Sequence, residues 1–335
     1  MKTESTTENE NGNEFPDTLQ KLIRYFADEA VSFEYMKRVR WPDGVVTCSH
    51  CGSARHSFLT TRKIWKCLDC RKQFTIRLGT IFEDSPIKFA TWIAATWLIA
   101  NAKNGISSYE IARSLGVCQK TGWFMLQRIR LAMQGGSIIK DKLKGIIEVD
   151  ESFIGGKARN MHAHKRRENV KGTGSAGNKT MTPVQGLLER GTEGKASRVA
   201  MEVVSGTKRP ELQGNVRKYV LKGAEVHTDA LSSYKGLAAD YTHETVDHAQ
   251  AYVRGNVHTN GLENFWSLLK RTIKGTYVNV EPFHLFRYLA EQAFRFNERK
   301  DDDQGRFLKV MSAIAGKRLT WAKLTGDADG LPAGA

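Results

Sequence analysis

Apolar positions along the chain change their repeat several times, and each repeat predicts a different element. Leu19, Ile23, Phe26 and Ala30 recur at helical spacing behind Asp17 and Thr18, which predicts a helical lead-in over residues 15–44 ending in the turn Trp41-Pro42-Asp43-Gly44. From Pro86 the helical repeat returns: Phe89, Ile93, Trp97 and Ala100 mark a buried helix. A short helix follows from about Ser108, then a turn at Gly116 and a second helix to about Met133. Ile111, Ala112 and Leu115 of the first of these would pack on Phe124, Leu126 and Ile129 of the second, the layout of a helix-turn-helix within residues 86–134. Past Gly135-Gly136-Ser137 the pattern becomes strand-like. "KGIIEVDESFIGG", "VQGLLER" and "SRVAMEVVS" read as strands and "KRPELQGNVRKYVL" as a helix. "AEVHTDALSSYKGL" is a strand running into a helix, and "YTHETVDH" a short strand. The helix of "HTNGLENFWSLLKR" turns Leu262, Phe265 and Leu269 inward, and "EPFHLFRYLAEQAFRFNER" is a long amphipathic helix. This order predicts an α/β domain over residues 143–300, a mixed sheet with helices on both faces. Residues 1–14 have almost no apolar content and read as a disordered tail, Gly155–Thr182 as a flexible basic loop, and residues 301–335 as a C-terminal tail.

Charge and cysteine spacing fill the gap between the lead-in and the helix-turn-helix. The chain of 335 residues has 51 Lys plus Arg against 36 Asp plus Glu, a formal charge of +15 that favours a polyanionic partner, nucleic acid first. It has no apolar run near the roughly 18 residues of a membrane span, and its N-terminus is polar, so a cytoplasmic protein with no membrane association is expected. In a reducing compartment close cysteine pairs point to metal rather than disulfides. Cys48 and Cys51 form one C-x2-C and Cys67 and Cys70 another, with residues 52–66 between them, the spacing of a small β zinc ribbon over residues 45–80. Four thiolates complete the tetrahedron of a structural Zn2+, leaving His50 and His56 as bystanders. Arg55, Arg62, Lys63, Lys66, Arg71 and Lys72 make the ribbon basic, which suits a phosphate backbone or simply a solvated face. Cys118, in the turn of the helix-turn-helix, reads as a small buried residue. Gln119, Lys120 and Thr121 open the second helix, where such helices meet base edges.

Three acids stand out by position: Asp150 on the strand after "IIEV", Asp229 at the end of "AEVHTD", and Glu263 early on its helix. Glu148 shares the strand face of Asp150 and is its local rival, whereas Glu151 points the other way. A carboxylate on an otherwise buried strand is costly unless paired or metal-bound. Strand-end aspartates also often only cap turns, so the triple alone is weak evidence. The chemistry that wants this arrangement is phosphoryl transfer by two divalent ions, with hard oxygen ligands selecting Mg2+ or Mn2+. Lys270 falls two turns beyond Glu263 on the same face and is placed to hold a DNA phosphate. His227, His248 and His258 can border such a site in structural roles, and Trp266 reads as packing.

"IEVDESFIGG", "VHTDALSSYKGL" and "HTNGLENFWSLLKRTIKGTY" with "HLFRYLAEQAFRFNER" resemble the motif blocks of bacterial insertion-sequence transposases of the DDE superfamily, the group with an N-terminal zinc ribbon. The resemblance runs in order over roughly residues 15–320. It implies an RNase H-like catalytic core, metal ligands at Asp150, Asp229 and Glu263, and the following lysine at Lys270. The interval from Asp229 to Glu263 is close to the usual one, and the third position keeps Glu where some members carry Asn or His. The implied reaction is hydrolysis at the transposon ends, at terminal inverted repeats, followed by attack of the freed 3′-hydroxyl on target DNA. A homodimer or higher homo-oligomer on double-stranded DNA is expected, with Lys165, Arg166 and Arg167 of the basic loop reaching phosphates. Two rival readings remain at this level: a zinc-ribbon, helix-turn-helix transcription regulator without catalysis, and an RNase H-like nuclease without strand transfer.

Overall fold

A computed structural model describes residues 15–137, 141–156, 181–246 and 257–326. The expected disordered tail, nearly all of the basic loop with Lys165, Arg166 and Arg167, and His248 lie outside them. The described residues fall into two compact units: those up to Gly135 together with those from Asp301 on, and those between.

The first unit opens with two helices, α1 (Leu19–Tyr25) and α2 (Glu29–Arg40), where the apolar repeat predicts one lead-in helix. Asp28 makes the break, its carboxylate accepting from the Ala30 amide at 2.7 Å as the N-cap of α2. The inward face also differs from the predicted one. Leu22 and Phe26 are buried, while Ile23 is 52% exposed and Ala30 is exposed, because the chain restarts at Asp28 and the single helical repeat does not carry through.

The ribbon follows as three short antiparallel strands, β1 (His56–Leu59), β2 (Ile64–Cys67) and β3 (Gln73–Phe74). Then come α3 (Phe89–Asn101), α4 (Ser108–Leu115) and α5 (Gln119–Ser137). A capping box of Ser107 and Glu110 starts α4. The two last helices cross closely at Gly122, where a Cβ would come within 2.9 Å of the Ser108 carbonyl oxygen, so any larger residue would push the pair apart.

Residues 301–326, expected as part of a tail, instead complete this unit. They form α9 (Asp303–Ser312) and α10 (Trp321–Thr325), named in chain order after the helices of the second unit. Phe307, Val310 and Met311 are buried, and the Phe307 ring lies 5.5 Å from that of Trp97 on α3. Backbone bonds from Ile81 N to Ile314 O (3.1 Å) and from Gly316 N to Gly79 O (2.9 Å) fasten the returning chain. Buried Arg128 of α5 donates to the carbonyls of Leu319, Ile81 and Glu83, tying two distant segments to one guanidinium.

The second unit is a five-stranded mixed sheet in the order β6-β5-β4-β7-β8, an RNase H-like α/β layout. Its strands are β4 (Ile146–Ile154), β5 (Thr182–Glu189), β6 (Arg198–Val203), β7 (Glu225–Asp229) and β8 (Thr242–Val246). β4, β5 and β6 run antiparallel, whereas β4–β7 and β7–β8 are parallel. Alternate positions feed two cores. Ile147, Val149, Leu187 and Val226 pack with Leu212 and Val216 of α6 (Arg209–Tyr219) and with Tyr234. Ile154, Val184, Leu188 and Val199 pack on the other face under α7 (Asn260–Thr272) and α8 (Leu285–Asn297), through Leu262, Phe265, Trp266, Leu269 and Leu289. Helices therefore cover both faces, as a buried mixed sheet requires.

Candidate functional site

In the ribbon the four cysteines converge. Cys48 Sγ lies 3.7 Å from Cys70 Sγ, and Cys51 Sγ 3.6 Å from Cys67 Sγ. Zn–S bonds of about 2.3 Å in a tetrahedron put sulfurs roughly 3.8 Å apart, so these spacings fit the ion. Amides of His50 and Cys70 point at Cys48 Sγ (3.4 Å) and Cys67 Sγ (3.5 Å), the tight knuckles that each C-x2-C pair makes. The Cys70 amide above all, with that of Asp69, brings the Cys67 thiol down to about 7, toward the thiolate that a metal needs. His50 Nε2 pairs with Gln73 O (3.2 Å) and His56 Nδ1 with Ala54 O (2.8 Å), so both stay outside the cluster, as expected.

In the second unit the acids gather where the sheet opens. β4 pairs with β7 only as far as Val149↔Thr228, and beyond that register β4 continues with β5 alone. Asp150 and Asp229 stand side by side at this opening, on the face covered by α7. Carboxylate oxygens of Asp150, Glu151 and Asp229 all lie within 4.8 Å of one another. Burial raises the Asp150 carboxyl above its ordinary range, helped by Asp229 and Glu263, against the Trp266 indole, which donates to Asp150 Oδ2 at 2.9 Å. Trp266 is thus packed, as expected, and also aims the carboxylate. Its ring lies so close over β5 that a Cβ on Gly186 would meet it at 2.7 Å.

Strand alternation predicts that Glu151 points away from Asp150. It does lean to the α6 face, where the Tyr234 hydroxyl donates to its Oε1. Its carboxylate nevertheless reaches the other two because no strand flanks β4 on the β7 side there. Burial, then the charges of Asp229 and Asp150, push its carboxyl up to about 8. An ordinary Glu of this kind ionises near 4.5, so the folded chain holds the extra proton between those values. The stability that this proton confers is complete below about 4.5 and is lost as pH rises to about 8. Metal-free protein should therefore melt at falling temperature from pH 5 to 8 (about 1.4 kcal/mol for each unit by which the two pKa values differ), Glu151→Gln should flatten the slope, and Mg2+ should restore stability at pH 8. Parallel slopes for wild type and Glu151→Gln in melting curves would remove this reading.

Glu148, the rival of Asp150, has another task. It is 1% exposed, accepts from Arg190 Nε at 2.7 Å and from the Leu262 amide at 2.8 Å, and lies 3.5 Å from His258 Nδ1. It anchors the first turn of α7 to the sheet. His258 also meets Arg190 Nη2 (2.8 Å), and His227 is fully buried with Nε2 on Glu225 Oε1 (2.6 Å). Glu263 stands exposed in the first turn of α7, outside the tight cluster of three, yet near enough for its charge to raise Asp150. Lys270 is exposed on the same helix.

At the helix-turn-helix, Gln119 Nε2 donates to Ser108 Oγ (2.8 Å), and Lys120 Nζ lies 4.4 Å over the Trp321 ring of α10. Thr121 Oγ1 is 3.1 Å from Cys118 Sγ, and Cys118 is exposed where a buried residue is expected, because the turn into α5 lies at the surface. Among the described residues no helix is long and apolar enough to cross a membrane.

Residues 142–297 match the model of the ISXO2-like transposase domain, and residues 27–73 that of the transposase zinc-ribbon domain. A protein described as an uncharacterized protein in transposable element ISH50, from Halobacterium salinarum, is 26% identical over 259 residues, covering 74% of this chain and 84% of the relative. The two matched domains stand in the same order as the ribbon and the RNase H-like unit, and together they take in more than half of the chain. The chain belongs to the insertion-sequence transposases of the DDE superfamily that carry an N-terminal zinc ribbon.

Proposed function

We propose that this transposase binds the terminal inverted repeats of its insertion sequence, cleaves at the transposon ends and joins the 3′-hydroxyls to target DNA. The carrying observation is the pairing of Asp150 and Asp229 at the opening between β4 and β7, beneath the helix that bears Glu263. Burial and the neighbouring acids raise the Asp150 and Glu151 carboxyls, a cation bound among them would neutralise the cluster, and oxygen donors fit Mg2+ or Mn2+. Asp150, Asp229 and Glu263 would hold two such ions, which supply Lewis acidity and an activated water. The chain's own groups do the positioning. Trp266 fixes the Asp150 carboxylate, Tyr234 steadies Glu151 beside it, and Lys270 lies two turns from Glu263 to hold a phosphate of the DNA. A regulator without catalysis would leave this desolvated acid cluster without a purpose. Incubating the protein with duplexes carrying the element's ends and a target plasmid, with and without Mg2+, tests the proposal. Metal-dependent 3′ cleavage and joined product are expected; cleavage without joining would favour the nuclease reading, and neither would favour the regulator.

Recognition of the ends is assigned to Gln119, Lys120 and Thr121 at the start of α5, and sequence-independent binding to the ribbon and to Lys165, Arg166 and Arg167. Gln119→Ala should reduce preference for the ends by roughly 1–3 kcal/mol for each base edge that is no longer read. Neutralising Lys165, Arg166 and Arg167 should weaken all sequences alike and flatten the salt dependence by about 0.9 log unit for each phosphate released. Binding isotherms on specific and random duplexes across a salt series check both. Loss of specificity in the loop variant alone would move the reader away from α5. A homodimer or larger assembly on the DNA ends is part of the same proposal, measurable by the mass of the complex.

A further inference from the structure

The ribbon holds a cavity that zinc binding does not use. It occupies about 390 Å3 between α2 and the β1–β2 hairpin, lined by Phe33, Phe58, Trp65, His56 and Val45, with Glu34 and Lys37 on the α2 side. That size is within the roughly 300–1,000 Å3 of small-ligand sites. Its walls are aromatic. The Trp65 ring lies 5.9 Å from Phe33, nearly parallel at 11°, and 4.8 Å from Phe58. Trp65 is buried against Phe74 and Trp41, so this wall is rigid. Phe58 and Val45 are 41% and 48% exposed, apolar groups left open in a module with little core to spare. Glu34 and Lys37 pair at 3.5 Å and give one acceptor and one donor beside the rings.

We infer that this cavity receives an unpaired nucleobase of DNA, stacked against the exposed ring of Phe58, which buried Trp65 backs. Charge selects that occupant over an apolar peptide. Residues 45–80 carry Arg55, Arg62, Lys63, Lys66, Arg71, Lys72 and Arg77 against Asp69 as the one acid, whereas the cavity itself is lined by one cation and one anion. A flat neutral ring on a polyanionic backbone matches both, since every base offers a π-face and every nucleotide a phosphate. Base stacking of this kind suits an enzyme that works at strand ends, where duplex pairing is weakest. The inference rests on DNA being the partner, as proposed above.

The test uses the full chain with its zinc, a single-stranded oligonucleotide carrying 2-aminopurine, and a blunt duplex of the same sequence. Phe58→Ala should weaken single-strand binding roughly ten- to a hundredfold and abolish the quenching of 2-aminopurine. Its zinc content, melting curve and duplex affinity should stay those of wild type, because Phe58 is an exposed ring outside the thiolate cluster. Phe58→Trp should keep the single-strand affinity. Equal single-strand affinity of Phe58→Ala and wild type, or equal losses on single strand and duplex, would overturn the assignment. Wild-type binding to duplex alone would overturn it while leaving the DNA reading intact, and binding to neither would overturn both.

Discussion

Asp229→Ala is expected to stop cleavage and joining of transposon ends, lowering the rate by at least about a thousandfold, since bound divalent ions supply several kcal/mol of charge stabilisation and each 1.36 kcal/mol is tenfold. The fold should survive. Asp229 is half-buried at the end of β7 and its carboxylate receives the Leu231 amide at 3.1 Å, a turn contact that a short loop can replace. Glu263→Ala, on an exposed position of α7, should be equally inactive and cost still less structure. Glu148→Ala is the contrasting control: it removes the buried carboxylate that Arg190 and the Leu262 amide share, so it should lower the melting temperature strongly. Circular dichroism melts beside a gel assay of end cleavage separate the two behaviours. An Asp229→Ala protein that still cut ends at a comparable rate would sink the site assignment.

The sequence made some of this site legible and concealed the rest for identifiable reasons. Asp150 and Asp229 could be placed because strand alternation fixes the face of each, and both share the face under α7. Glu151 could not, since alternation sends it to the opposite face and only the early end of β7 lets it curl back; Tyr234, which holds it, comes from a distant turn. The role of Glu148 needed the docking of α7, a long-range event. In residues 301–326, read as part of a tail, a signal was present in the helical spacing of Phe307, Val310 and Met311. The backbone pairing of Ile314 and Gly316 with residues near Gly79 has no local trace. The zinc pairs were the clearest feature because their chemistry is written in spacing alone.

Cys67→Ser should release the zinc and unfold the ribbon locally while the RNase H-like unit stays folded. Structural zinc contributes about 10–16 kcal/mol in small modules at neutral pH, far more than three strands of two to four residues can replace. Cys67 is the ligand whose loss should be felt most, for it is fully buried, has Cys51 Sγ at 3.6 Å and receives the Cys70 amide. Trp65, two residues before it in β2, reports the event. Its ring is sandwiched between Phe33 and Phe74, and unfolding exposes it to water. Metal analysis should fall from one zinc per chain to almost none. Tryptophan emission should shift to the red, and amide exchange should rise across residues 45–75 but stay slow in β4, β5 and β7. End binding should weaken together with the ribbon, whereas a fold that kept full zinc and an unshifted Trp65 spectrum after this substitution would mean that the ion, if bound, is not what holds these strands together.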